Sequence, residues 1–501
     1  MSYRSITLTI ILQLSFFLAV IAQHLPHSQP ESEGVDSKGI LDFVNATRTS
    51  KTEFHSFMLL RHGKVIAEGW WNPYKPELRH TLYSCSKSFT ATAVGFAIAE
   101  KKLSLSDKVI SFFPDKLPAT VSPNLAALTV KDALMMADGQ DPEPSGLSAE
   151  TDWVKGFLAT PIVHKPGSVF LYNSLGTYML SAIVQKVTGQ GLLQYLKPRL
   201  FDPLGIKDMD WETDLKGINT GGWGLRLKTE DMAKFAQLFL QRGQWNGKQV
   251  LPKGWAEEAS SVKIIQHPDL PQAKKDASDW EQGYAYQMWR CRYNAFRGDG
   301  AFGQYMIIMP DQDAVLAVTA ETSDMQGEIN LVWQYLLPAM HAGKLPANKA
   351  SDAALQKALQ ELALPPAPKT AVSGNRNGTY KLEPNELNYT TASFTNNQLT
   401  IKNDTASYQL KFGAGIWQTS TTLKPGPSLT AGAKENRSML FPAKVAGSYN
   451  WTDDHTLQLT LRYIESPHTE KFTCVFDDEG LTMHIANTVT GGETIIKGKL
   501  R

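Results

Sequence analysis

The sequence predicts a mixed α+β protein: an antiparallel sheet flanked by helices, followed by a separate all-β, barrel-like domain. Three observations carry that prediction. Paired apolar runs of strand length sit near both ends of the first 340 residues, at 56–60 with 65–71 and at 304–309 with 314–320. Apolar and amphipathic helical stretches lie between them. Beyond residue 371, short strand-like runs recur with Asn, Asp and Gly turns and no helical period.

Taken in order, 56–60 and 65–71 form a hairpin turned at His62-Gly63. Residues 89–99 are a small-residue helix too apolar for a surface, and 103–108 a loop resembling a helix cap. A short helix over 128–137 stops at Asp138-Gly139. Residues 174–188 make a second long apolar helix ended by Gly189, a usual C-cap residue. After the tight Gly221-Gly222-Trp223-Gly224 loop, Met232, Phe235, Ala236 and Phe239 mark an amphipathic helix over 229–240. The strands at 304–309 and 314–320 turn through 310–313, and a helix follows at 328–340. Residues 344–371 are rich in Ala, Lys and Pro; a short helix at 353–362 runs into Pro365-Pro366-Ala367-Pro368, a semi-rigid linker. Strands at 377–380, 398–401, 408–412, 456–463, 472–476 and 481–485 build the last domain.

The domain plan is an export signal at 1–22, the α+β domain at 23–343, the linker at 344–371 and the β-domain at 372–501. In the signal, Arg4 is the only charge, 6–21 are apolar, and Val20-Ile21-Ala22 offers a cleavage site before Gln23. The expectation is a periplasmic or secreted protein with no stable membrane insertion after cleavage. Removing 1–22 leaves 49 basic and 49 acidic residues. A neutral chain gives no electrostatic case for nucleic acid or anionic membranes. The three cysteines are too far apart for a disulfide framework or a metal site.

Chemistry concentrates at Ser84-Cys85-Ser86-Lys87, which opens the first apolar helix. Residues i and i+3 share a helix face, so the serine hydroxyl and the lysine amine can meet. Burial disfavours the charged amine, so a buried Lys87 can be neutral near pH 7 and accept the proton of a nucleophilic Ser84. The tetrapeptide pattern also occurs at Ser260-Ser261-Val262-Lys263, without a hairpin before it or an apolar helix after it. Cys85 reads as a small core residue rather than as the nucleophile. A second motif, Pro166-Gly167 running to Tyr172-Asn173-Ser174, places a tyrosine at a loop-to-helix junction. There it can relay a proton as a phenolate or as a hydrogen-bonded phenol, or simply cap the core. Of the histidines, His62 reads as a solvated turn residue, while His80 can line the mouth of the site. Among the tryptophans, Trp223 in its Gly-rich loop is a candidate to stack on substrate.

These motifs, together with Leu103-Ser104-Leu105-Ser106-Asp107 and Leu128-Thr129-Val130-Lys131-Asp132, resemble the serine β-lactamase-related family over roughly residues 39–340. That family comprises class C β-lactamases, DD-peptidases and esterases of the same fold. The resemblance implies a β-lactamase/transpeptidase-like fold, Ser84 as acylated nucleophile, Lys87 as its base partner and Tyr172 as proton relay. It implies an oxyanion hole from the N–H groups of Ser84 and Phe302, and no metal or cofactor. Two departures matter. Ser174 stands where the family has an amide-binding Asn, and Asp299-Gly300-Ala301 stands where it has Lys-Thr-Gly or His-x-Gly. An aspartate there repels a substrate carboxylate unless Arg297, more simply read as a solvated surface residue, turns inward.

The sequence therefore favours an esterase working on a small-molecule or peptide substrate. Hydrolysis of linear amides, D-amino-acid peptides or β-lactams stands as an alternative, and a binding protein that has lost the chemistry as another. Oligomeric state and the role of the β-domain are not legible in the chain.

Overall fold

A computed structural model describes residues 24–144, 152–371, 377–430 and 442–501. The 1–22 segment and the start of the β-domain at 372 lie outside the described residues. The first domain is built on a six-stranded antiparallel sheet. Its strands are β1 (Glu53–Arg61), β2 (Lys64–Trp70), β3 (Trp289–Arg290), β4 (Phe296–Gly300), β5 (Gln304–Met309) and β6 (Ala314–Glu321), in the spatial order β2-β1-β6-β5-β4-β3. The two hairpins read from the sequence meet edge to edge, Leu59 pairing with Leu316.

The central strands are buried on both faces, and side chains alternate between two cores. Met58, Leu60, Met306, Ile308, Val315 and Ala317 join the core that holds α2 (Ser86–Ala99), α3 (Ser174–Thr188) and α4 (Thr229–Leu240). Phe57, Leu59, Tyr305, Ile307, Leu316 and Val318 face the opposite layer, which contains α1 (Ser37–Thr47) and α5 (Lys349–Gln360). The mixed α+β sandwich is thus as the sequence predicts.

Two helices differ from expectation. The 128–137 stretch contributes only Val130–Leu134, started by a Thr129/Asp132 capping box and ended before Met136, whose φ of 58° leaves the helical region. The 328–340 stretch is instead an α-helix at Met325–Leu331 that continues as a π-turn at Val332–Leu336. The helix inside the 344–371 segment lies against the first domain, with Leu355, Ala358, Leu362 and Leu364 buried in its second core. Leu364 N donates to the Asn72 carbonyl at 2.8 Å.

The second domain is a strongly curved, nearly closed sheet. Its long strands run β7 (Gly378–Leu382), β8 (Thr391–Thr395), β9 (Gln398–Lys402), β10 (Ser407–Lys411), β11 (Gln418–Thr422), β12 (Ala443–Trp451), β13 (Thr456–Tyr463), β14 (Thr469–Phe476), β15 (Leu481–Asn487) and β16 (Glu493–Leu500). Hydrogen bonding follows β10-β9-β8-β7-β16-β15-β14-β13-β12, with β11 on β12. Closure is close at Gly447, where a Cβ would lie 2.1 Å from the Lys411 carbonyl. Phe394, Leu410, Trp451, Phe472 and Phe476 fill the interior.

Candidate active site

Ser84 sits in a single 3₁₀ turn, Tyr83–Cys85, that feeds directly into α2. The i, i+3 spacing does what helical geometry requires: Lys87 Nζ lies 2.9 Å from Ser84 Oγ. The same amine lies 2.7 Å from the Gly222 carbonyl and 3.1 Å from Ser174 Oγ. Lys87 is 1% exposed. Burial pushes its pKa down to about 7, against the opposing fields of Glu143 and Asp299. A neutral amine has two N–H groups and one lone pair. The Gly222 carbonyl can only accept and Ser174 Oγ accepts the second hydrogen, so the lone pair is left for the Ser84 hydroxyl.

Tyr172 reaches the same point from the loop before α3. Its ring lies 4.8 Å from Lys87 Nζ, and its hydroxyl is hydrogen-bonded to Ser84. Trp289 stacks on it at 5.7 Å and Tyr284 meets it edge-on. Burial pushes the phenol well above its ordinary value despite the bond to Ser84. Of the two expected forms, the buried setting favours the hydrogen-bonded phenol over the phenolate. Asn173, one place earlier than the family pattern, is turned away from the nucleophile. Its Oδ1 caps α3 through Leu175 N and Gly176 N, and Nδ2 donates to Gln140.

The opposite wall is β4 and its turn. Gly298 and Gly300 face α2 and the nucleophile; a Cβ on Gly300 would lie 2.2 Å from the Leu82 carbonyl. Strand alternation sends Arg297 and Asp299 to the other face. The expectation of a surface Arg297 is wrong. It is fully buried, lies over Trp280 at 4.3 Å, donates to the Asp279 carbonyl, and pairs with Asp299 at 2.7 Å. Arg297 thus neutralises Asp299 and is not free for a substrate carboxylate; burial raises the Asp299 pKa and Arg297 opposes the rise. Phe302, in the turn to β5, has φ 66° and packs its ring 5.6 Å from Tyr83. The turn that would carry the second oxyanion donor therefore abuts the nucleophile segment.

The structure does not bring every candidate in. The Trp223 ring lies in the core against Trp153, and its carbonyl accepts from Trp211, so it shapes the Gly222 loop rather than facing the nucleophile. His80 does not line the mouth; it is buried, 3.2 Å from His55 Nδ1. Cys85 is buried with its thiol pushed up, donating to the Gln304 carbonyl. The second Ser-x-x-Lys is a surface feature, with Lys263 on Glu258.

Three contributors have no sequence signal. Gly222 acts through a backbone carbonyl, which any residue carries. Exposed Glu143 accepts from Ser174 N at 2.5 Å. Tyr83 bears φ 46° while buried, a conformation costing about 1–3 kcal/mol for a bulky residue, and the β-domain holds its hydroxyl. Among the described residues no cluster suits a metal ion, and no helix is long and apolar enough to cross a membrane.

Fold and site together define a β-lactamase-fold hydrolase. The chain belongs to the Beta-lactamase family, which matches residues 55–337. It is similar to the 6-aminohexanoate-dimer hydrolase of Paenarthrobacter ureafaciens, 26% identical over 297 residues covering 55% of this chain and 75% of that one. It is also similar to a "Putative D-alanyl-D-alanine carboxypeptidase" of Escherichia coli K12, 28% identical over 154 residues that span 28% of this chain but only 36% of that relative. In fold it is similar to the solved "Putative 6-aminohexanoate-dimer hydrolase from Bacillus anthracis", with TM-score 0.51 and 22% identity over 65% of this chain and 89% of that one.

Proposed function

We propose that the protein is a serine hydrolase that cleaves carboxylic esters through an acyl-enzyme on Ser84. The carrying observation is the 2.9 Å contact between Ser84 Oγ and a buried lysine whose pKa is lowered to about 7. Neutral Lys87 takes the Ser84 proton as Oγ bonds to the substrate carbonyl carbon. The resulting oxyanion is met by the N–H groups of Ser84 and Phe302. Collapse breaks the bond to the leaving alcohol, which receives the proton from Lys87 through Tyr172. Water then attacks the ester on Ser84 by the same route in reverse, releasing the acid and restoring the serine.

The commitment of Arg297 to Asp299 supports substrates without a carboxylate beside the scissile bond. Hydrolysis of short linear amides is a second reading, supported by the similarity to the 6-aminohexanoate-dimer hydrolase.

Intact-mass spectrometry after p-nitrophenyl acetate tests the proposal, with a linear aminohexanoate dimer and nitrocefin in parallel. The expected result is one acetyl group on the wild type, none on Ser84→Ala, and no nitrocefin turnover. An undiminished Ser84→Ala would end this account. Steady nitrocefin turnover would show that the Arg297–Asp299 pair does not decide specificity.

A further inference from the structure

We propose that the C-terminal barrel completes the active site. His468, held by Glu321, is a positioning residue that fixes Tyr83 and, through it, the nucleophile and the oxyanion turn. The inference rests on the Ser84 reading above and assigns that site a component from the second domain.

Tyr83 immediately precedes Ser84, so its backbone angles set where Ser84 Oγ points. Those angles lie in the left-handed region that a buried tyrosine adopts only when its surroundings impose it. The restraint comes from the barrel. The hydroxyl of Tyr83 is hydrogen-bonded to His468 Nε2, and the backbone of Leu429, also from the barrel domain, bonds to the same side chain. On the far side, His468 Nδ1 lies 2.8 Å from Glu321 Oε1, at the end of β6. A carboxylate can only accept, so Nδ1 donates to Glu321 and the ring is held with Nε2 facing the Tyr83 hydroxyl.

The same imidazole touches the other half of the site. The Phe302 ring stands edge-on to it, with centroids 4.8 Å apart and planes at 85°. Phe302 is itself left-handed at φ 66°. One fully buried ring thus braces both residues whose strained backbones present the nucleophile and the second oxyanion donor. The hairpin that carries it is pinned to the segment before Ser84. Thr81 N donates to the Glu465 carbonyl at 3.0 Å, and Tyr74 Oη to the Ser466 carbonyl at 3.1 Å. Among the described residues the imidazole makes its hydrogen bonds to Tyr83 and Glu321, which suits positioning rather than proton transfer.

The test measures acylation by p-nitrophenyl acetate in the full chain, as the rate per active site counted from the burst. Misfolded protein then drops out of the count. His468→Ala and Tyr83→Phe should each lower the acylation rate per site by about 10- to 100-fold with little change in KM, as expected for a misaimed nucleophile. The double variant should be no slower than the worse single one, because both remove one link. His484→Ala, which loses only a surface contact to Glu493 elsewhere on the barrel, should leave the rate per site unchanged. Wild-type rates per site in Tyr83→Phe, or additive losses in the double variant, would overturn the positioning role and leave the Ser84 reading intact. If His468→Ala does not fold, Tyr83→Phe, which keeps the ring, decides alone. A wild type that forms no Ser84 adduct would instead overturn the hydrolase reading and this inference with it.

Discussion

At the scale of single residues the site is governed by the cost of hiding one amine. Burial lowers the Lys87 pKa from 10.5 to about 7, which corresponds to about 5 kcal/mol of penalty on the charged form. The folded value is depressed, so the penalty is fully present below pH 7 and is relieved as pH rises from 7 towards 10.5. Two outcomes follow from this sign. The acylation rate should rise with pH through an apparent pKa near 7, read from a stopped-flow profile. Lys87→Met should lose acylation yet gain about 2 kcal/mol of stability at pH 6, read from denaturant unfolding. A variant less stable than wild type at that pH would mean that the contacts to Gly222 and Ser174 outweigh desolvation. Ser84 and Lys87 could be paired from the chain because they meet through local spacing, Tyr172 was singled out by its loop-to-helix position, and Ser174 only through the resemblance. Glu143 and His468 were not legible, since each joins the site only through tertiary contact. Arg297 misled because charged residues are rarely buried without a partner, and its partner two residues away looked like a competitor rather than a counter-ion.

At the scale of elements, the approach of β4 to the nucleophile turn depends on glycine. A Cβ at Gly300 would meet the Leu82 carbonyl at 2.2 Å, and that carbonyl belongs to backbone that cannot swing aside as a side chain can. Gly300→Ala should force strand and turn apart. The expected cost is about 2 kcal/mol of stability, with a loss of acylation about as large as removing an oxyanion donor, roughly 100-fold. Thermal unfolding and burst kinetics would show it; unchanged kinetics would place the oxyanion donors away from this strand. The helix at 174–188 was readable because Gly189 ends it, and the helix at 229–240 because its apolar residues keep the helical period. Strands such as Thr391–Thr395 and Ala443–Trp451 escaped because they are short or rich in Thr, Ser, Gly and Ala. Their membership is decided by pairing with neighbours distant in sequence, which no local pattern records.

At the scale of the whole molecule, the barrel meets the first domain along a partly buried polar seam. Arg462 of the barrel forms a bidentate pair with Glu53 of the central sheet and lies over Trp417. Glu53 also contacts His55, which stacks on Tyr74 at 3.9 Å. Burial pushes Glu53 up, but His55 and Arg462 more than offset it and hold the carboxyl well below its usual range. Burial pushes His55 down, against Glu53. Both signs run the same way. A depressed histidine loses stability as pH falls below its unfolded value of 6.5, and a depressed carboxylate as pH falls below 4.5. Docking should therefore weaken in two stages on acidification. Because the proposed base, Lys87, would already be protonated below pH 7, limited proteolysis and calorimetry rather than activity should report this. Arg462→Leu leaves Glu53 without its counter-charge. Allowing for the partial exposure of Glu53, it should weaken the seam by about 2 kcal/mol. Wild type at pH 7 should melt in one transition and resist cleavage near 365–371. The variant at pH 7, like wild type at pH 4, should split into two transitions with cleavage there. A single unchanged transition in both would mean that apolar contacts such as Ile464, rather than the ionic seam, hold the domains together.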